Sequence, residues 1–193
     1  DHCLVGSEMC IRDRFKIDSH KVIVLVTNRN SYSKLSSLIT LARRRSKKGS
    51  YQIKWSDLKF NNDGLLIIWL PCGDFKKDQL IISQLHDWFE RRLWIGFHNL
   101  LNGTETSHLS YLQKLSLLWK VNVVACGDVH MHKKDRQPLQ DVLTAIKQKC
   151  SIMELGKSRY PNSERYLRKI EYLKNIYPEA VSYTHLTLPT SHN

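Results

Sequence analysis

Val121-Asn122-Val123-Val124-Ala125-Cys126-Gly127-Asp128-Val129-His130-Met131-His132 is the most informative stretch of the chain. A short, continuous apolar run rich in valine reads as a strand buried on both faces. Asp128, His130 and His132 then follow two apart, so in extended backbone their side chains leave on the same side. In parallel α/β architectures ligands bind at the carboxyl ends of strands. A carboxylate and imidazoles converging there suit Zn²⁺, Mn²⁺ or Fe²⁺. One strand seldom donates three ligands to one ion, and an aspartate capping the turn beside two solvated histidines fits the same spacing. His98, just after the preceding strand, opens onto the same rim and is a further candidate ligand.

Upstream the chain alternates strand and helix. Lys21-Val22-Ile23-Val24-Leu25-Val26 reads as a first strand, closed by Thr27-Asn28-Arg29-Asn30. Ser31 is placed to cap the helix whose stripe is Leu35, Leu38, Ile39 and Ala42. That helix ends in Arg43-Arg44-Arg45-Ser46-Lys47-Lys48-Gly49, with cations where the dipole favours them and a terminating glycine. Leu65–Leu70 is the second strand, stopped by Pro71; Leu80, Ile81, Leu85, Trp88 and Phe89 mark the next helix. A strand at Leu93–Phe97 precedes a helix over Leu109, Leu112, Leu115 and Trp119. Beyond the Val121–Cys126 strand, Leu139, Val142, Leu143 and Ile146 complete the pattern, and Leu167, Ile170 and Leu173 keep helical spacing near the end. Strand and helix trading places is the signature of βα units around a parallel sheet, open or closed.

Of 193 residues, 41% are hydrophobic and 25% charged, an ordinary composition for a domain with its own core. No apolar run approaches the roughly 20 residues that span a bilayer, and no leader pattern is expected. Five cysteines without CxxC spacing argue against a disulfide framework and favour the cytoplasm. Thirty Lys and Arg against 18 Asp and Glu give a formal charge of +12 and a pI near 9.6. Such a chain is drawn to polyanions, nucleic acid first among them. Arg43, Arg44, Arg45, Lys47 and Lys48 are the candidate phosphate contacts; a charged helix terminus in solvent is the plainer alternative. The five tryptophans fall on apolar faces and are expected in the core, and His20, His86 and His108 on the surface.

The two ends read differently. Leu4 to Asp13 and Val181 to Thr190 resemble translations of the DNA adapters used in transposase-based sequencing libraries. Residues 1–14 and 181–193 are therefore expected to be adapter-derived rather than native, which removes Cys3, Cys10, His2, His185 and His192 from the candidates. The remainder is expected to be truncated at both ends.

Gly127 to His132, continuing through Arg136-Gln137-Pro138-Leu139-Gln140-Asp141-Val142-Leu143-Thr144-Ala145-Ile146, resembles one family. It is similar to the PHP domain of the bacterial error-prone DNA polymerases, relatives of the replicative polymerase III alpha subunit. Leu35 to Arg45 with Lys48-Gly49-Ser50-Tyr51, and Tyr160 to Arg168, resemble that family's early helix and the segment leaving the domain. The resemblance runs in order from Phe15 to Ala180.

It implies an α/β fold, a partial distorted (β/α)7 barrel of the PHP type cut at both ends, with residues 15–160 its C-terminal part. Residues 161–180 would lead toward the polymerase core. It also implies a cluster of divalent ions (Zn, Mn or Fe) at the barrel mouth, whose last ligand motif falls on Asp128 and His130. The family's earlier ligands lie upstream of Phe15, and His132 and His98 are weaker candidates. The parent would be a DNA-directed DNA polymerase using Mg²⁺, acting in translesion synthesis and repair with DNA and other translesion or replisome proteins. Its catalytic carboxylates would lie downstream, leaving this fragment inactive alone. Two alternatives are a free-standing PHP phosphoesterase, in which metal-bound hydroxide attacks phosphate, and a non-catalytic basic module that contacts DNA.

Overall fold

The structure is a computed structural model and describes residues 12–48, 50–60 and 62–177. Eleven principal elements follow in chain order: β1 (Arg12–Ile17), β2 (His20–Val26), α1 (Arg29–Arg44), α2 (Trp55–Phe60), β3 (Leu65–Leu70), α3 (Phe75–Phe89), β4 (Leu93–His98), α4 (Glu105–Trp119), β5 (Val123–Cys126), α5 (Gln137–Gln148) and α6 (Ile170–Ile176). The strands form one sheet of order β1-β2-β3-β4-β5, mixed α/β in class and not closed into a barrel. The described residues divide into two compact units, one within residues 12–96 and 111–123, the other within residues 97–110 and 124–177.

The first unit corrects the expectation of a parallel sheet. β1 and β2 make an antiparallel hairpin with Ile17 opposite His20, turning on Asp18 and Ser19, and Asp18 takes φ +54. β2 also runs antiparallel to β3, pairing Lys21 with Leu70 and Val26 with Leu65. β3 and β4 have the expected parallel direction, with Ile67 opposite Leu93 and Trp69 opposite Ile95. The connection over residues 27–64 holds two helices, and a link that long returns the chain in either sense. Alternation of buried Phe15 and Ile17 with exposed Lys16 marks β1 once seen in place, but Arg12 to Ile17 is too polar to stand out in the sequence. Val22, Ile23 and Val24 are all buried, so β2 is covered on both faces as expected.

α1 starts earlier than a cap at Ser31 would place it. Its cap is Asn28, whose Oδ1 accepts the Ser31 N–H at 2.9 Å while Ser31 Oγ accepts the Asn28 N–H at 3.0 Å. This reciprocal pair satisfies donors that the first turn otherwise leaves open. Gly64, at φ +71, lies against it: a Cβ there would stand 3.1 Å from Ser31 Cβ. The helix closes on Arg45, and Gly49, expected to terminate it, lies outside the described residues. On α3 the inward face is Asp78, Ile82, Leu85 and Phe89, and Leu80, expected inside, is exposed. Of the five tryptophans only Trp69 is fully buried; the others are half-exposed.

In the second unit α5 is turned opposite to its pattern. Asp141 and Ala145 are buried, whereas Leu143 is 53% and Ile146 67% exposed, with Leu139 and Val142 exposed beside them. Asp141 is held inside by the Arg159 Nε at 2.8 Å, which fixes the helix with its charged side inward. Arg168, also buried, donates to the carbonyls of Asn99 (2.8 Å) and Glu164 (2.7 Å), and the Tyr177 hydroxyl donates to the Cys126 carbonyl at 2.9 Å. These bonds tie residues 160–177 to the ends of β4 and β5.

Replacing Asn28 by Ala removes the acceptor at the α1 cap. The expected cost is about 1 kcal/mol, read as a lower urea midpoint at unchanged m-value, while Asn28→Asp stays close to the parent.

Candidate functional site

In the first unit a buried carboxylate gathers the ends of three elements. Asp74 caps α3, accepting the N–H groups of Lys76 and Lys77. One turn later Asp78 folds back over the loop after β3: its Oδ1 accepts the Cys72 N–H at 3.0 Å and its Oδ2 the Gly73 N–H at 2.9 Å. The register that sets Lys21 opposite Leu70 carries His20 to the level of Pro71, one residue short of Cys72. His20 Nε2 therefore reaches Asp78 Oδ1 at 2.8 Å, and the Tyr111 hydroxyl donates to Oδ2. Asp78 is 0% and His20 3% exposed, and the imidazole stacks on Trp69 and meets Trp55 edge-on. His20 is thus a core residue, correcting its expected place on the surface. Burial, with the hydrogen bond and charge of Asp78 added, pushes the Tyr111 phenol far above its ordinary range.

One nitrogen, one sulfur and one oxygen donor of His20, Cys72 and Asp78 lie within 4.8 Å of one another, a possible metal-binding triad. With neutral imidazole, thiolate and carboxylate the set carries −2, which matches a divalent ion in a buried place where unbalanced charge is costly. Cys72 is exposed and supplies the way in. The sequence hid this triad because its members are far apart; His20 and Asp78 are separated by 58 positions.

In the second unit Asp128 and His130 lie close together, by a geometry other than strand alternation. β5 ends at Cys126 and Asp128 takes φ +43, so the backbone is not extended there and alternation does not align the side chains. Asp128 Oδ1 and His130 Nε2 nevertheless stand 3.4 Å apart. Asp128 Oδ2 is 3.1 Å from Arg165 Nε, the Arg165 guanidinium lies 4.2 Å from the Tyr160 ring centroid, and the Tyr160 hydroxyl is 3.3 Å from His130 Nε2. Two donors fit part of a divalent ion's shell. Among the described residues, neither His98 nor His132 joins them in a three-ligand group as compact as the first, and His132 faces solvent. Arg165 already balances the carboxylate, a role sequence spacing did not reveal.

Of the basic run after α1, Arg45 pairs with Asp57, which also accepts the Lys54 N–H at 2.8 Å. Burial pushes the Asp57 carboxyl up, but the bonds from Arg45 and Lys54 and the Arg45 charge outweigh it and hold it below its ordinary value. Arg43, Arg44, Lys47 and Lys48 are exposed.

No protein-family model matches the chain. Curated proteins do match it. The chain is similar to error-prone DNA polymerases. That of Methylococcus capsulatus is 40% identical over 179 residues, 92% of this chain and 17% of the relative. The protein of the same name from Saccharophagus degradans is 39% identical over 178 residues, and that from Dechloromonas aromatica 37% over 182. The chain spans 17% of the length of each of these three relatives. The similarity supports a fragment of that family.

Two measurements probe these sites. Cobalt(II) added to the chain is expected to give a thiolate charge-transfer band that Cys72→Ser abolishes, with affinity falling on the order of tenfold or more in Asp78→Asn. Arg45→Ala is expected to cost roughly 1–2 kcal/mol at neutral pH. Because folding depresses the Asp57 carboxyl, that stability is present above the ordinary value of 3.8 and is lost as pH falls through the folded value. The gap between the variant and its parent in urea midpoint therefore closes in acid.

Proposed function

We propose that this chain is the C-terminal part of the PHP domain of an error-prone DNA-directed DNA polymerase that works in translesion synthesis and repair. The observation that carries this reading is the 37–40% identity, over about nine-tenths of the chain, to proteins named error-prone DNA polymerase. The mixed α/β fold is consistent with part of a PHP-type barrel. Nucleotidyl transfer, with its Mg²⁺ and its template, primer and deoxynucleotides, belongs to other parts of the parent. Residues 161–177 begin the passage toward them, and the parent acts in the cytoplasm with DNA and other translesion or replisome proteins.

Within the parent the contribution of these residues is to hold divalent ions and organise the domain. His20, Cys72 and Asp78 supply one set of donors; Asp128 and His130 supply two more, completed by ligands from elsewhere in the parent. A bound ion would supply positive charge that cross-links the strand ends. Asp78 is kept oriented for this by the Cys72 and Gly73 amides and Tyr111, and Asp128 by Arg165. A free-standing phosphoesterase is the weaker reading, because the relatives are about six times the length matched here.

The test is the coding sequence on either side. The reading expects an open frame running on into a polymerase core with its own metal-binding carboxylates, and upstream histidines completing the Asp128 site. A stop codon shortly beyond residue 180 of the native frame would sink it.

A further inference from the structure

Between Asp18 and Asp57 there is no carboxylate: residues 19–56 hold nine Lys and Arg and no Asp or Glu. Folding concentrates this imbalance on α1. The inward face of the helix is Ser31, Leu35, Leu38 and Ala42. Its outward face carries Ser33, Ser36, Ser37 and Thr40, followed by Leu41, Arg44 and Arg45, along an open groove of about 490 Å³. Two cations in this region are committed, Lys34 to Asp63 at 2.7 Å and Arg45 to Asp57. No carboxylate among the described residues pairs with Arg43, Arg44, Lys47 or Lys48.

We propose that the outward face of α1, from Ser33 to Lys48, binds the phosphate backbone of a nucleic acid strand. Sixteen residues of helix extend about 24 Å, enough to follow several consecutive phosphates. Serine hydroxyls donate to phosphate oxygens without repelling them, and backbone contacts of this kind position a strand without reading its sequence. Thr40 gives its proton to the Ser36 carbonyl at 2.9 Å, so the donors are the three serines and the four uncommitted cations. A simple solvated helix end accounts for the cations, but not for the absence of any acid along the helix or for the line of hydroxyls leading into them. The surface lies within one compact unit and does not depend on the polymerase assignment, which stands or falls on flanking sequence.

The test measures binding of a fluorescent single-stranded oligothymidine to the full chain by anisotropy as salt is varied. Replacing Arg43, Arg44, Lys47 and Lys48 by Ala is expected to weaken binding on the order of 10- to 100-fold at low salt. The slope of log K against log salt should fall by about 3, at roughly 0.7 per cation on a single strand. Ser33→Ala with Ser37→Ala is expected to weaken binding further with no change in slope. As a control of equal charge, Lys76, Lys114, Lys147 and Lys157 are replaced by Ala; an equal loss there would mean that net charge alone acts, and would overturn the proposal. So would absence of binding to the oligonucleotide, or binding only to vesicles containing phosphatidylserine.

Discussion

Asp78 is a fully buried carboxylate, and the first unit is arranged around keeping it satisfied. Removing such a charge from water is tolerable only when each lone pair finds a donor. Four converge on it: His20 from the start of β2, the Cys72 and Gly73 amides after β3, and Tyr111 from α4. The donors come from β2, from the loop after β3 and from α4, so the carboxylate fixes where the β2 and β3 ends meet the first turn of α3. The antiparallel pairing of β2 with β3 makes this possible. A parallel pair would have placed His20 at the opposite end from Cys72.

The elements that repeat locally were legible in the sequence. β2, β3, β4 and β5 announce themselves as unbroken apolar runs, and α1, α3 and α4 as stripes at three and four, because both periodicities belong to neighbouring residues. Strand direction is set by the long connection over residues 27–64, whose path leaves no local trace. β1 is hidden for a related reason: Phe15 and Ile17 are its apolar residues, and the rest of Arg12–Ile17 is charged.

The two candidate sites divide along the same line. Asp128 and His130 are two residues apart and so were visible in the sequence, although the positive φ at Asp128 means that a bend, and not strand alternation, brings them together. His20, Cys72 and Asp78 are drawn together only by tertiary structure. Arg165 belongs to that second kind as well. Its guanidinium sits between Asp128 and the Tyr160 ring, joining a carboxylate, an imidazole and a phenol into one network around a fixed positive charge. A site organised in that way tolerates a divalent ion only where the guanidinium yields some of its hold on Asp128.

The inverted α5 carries a colloidal consequence. Its Leu139, Leu143 and Ile146 stand in water, with Ile152 and Met153 exposed just beyond. Mutual repulsion between bodies of charge +12 opposes the joining of two molecules through such surfaces. That repulsion reaches about 30 Å in 0.01 M salt but only about 8 Å at physiological ionic strength. The isolated chain is accordingly expected to stay apart best in dilute buffer and to associate more readily as salt is raised.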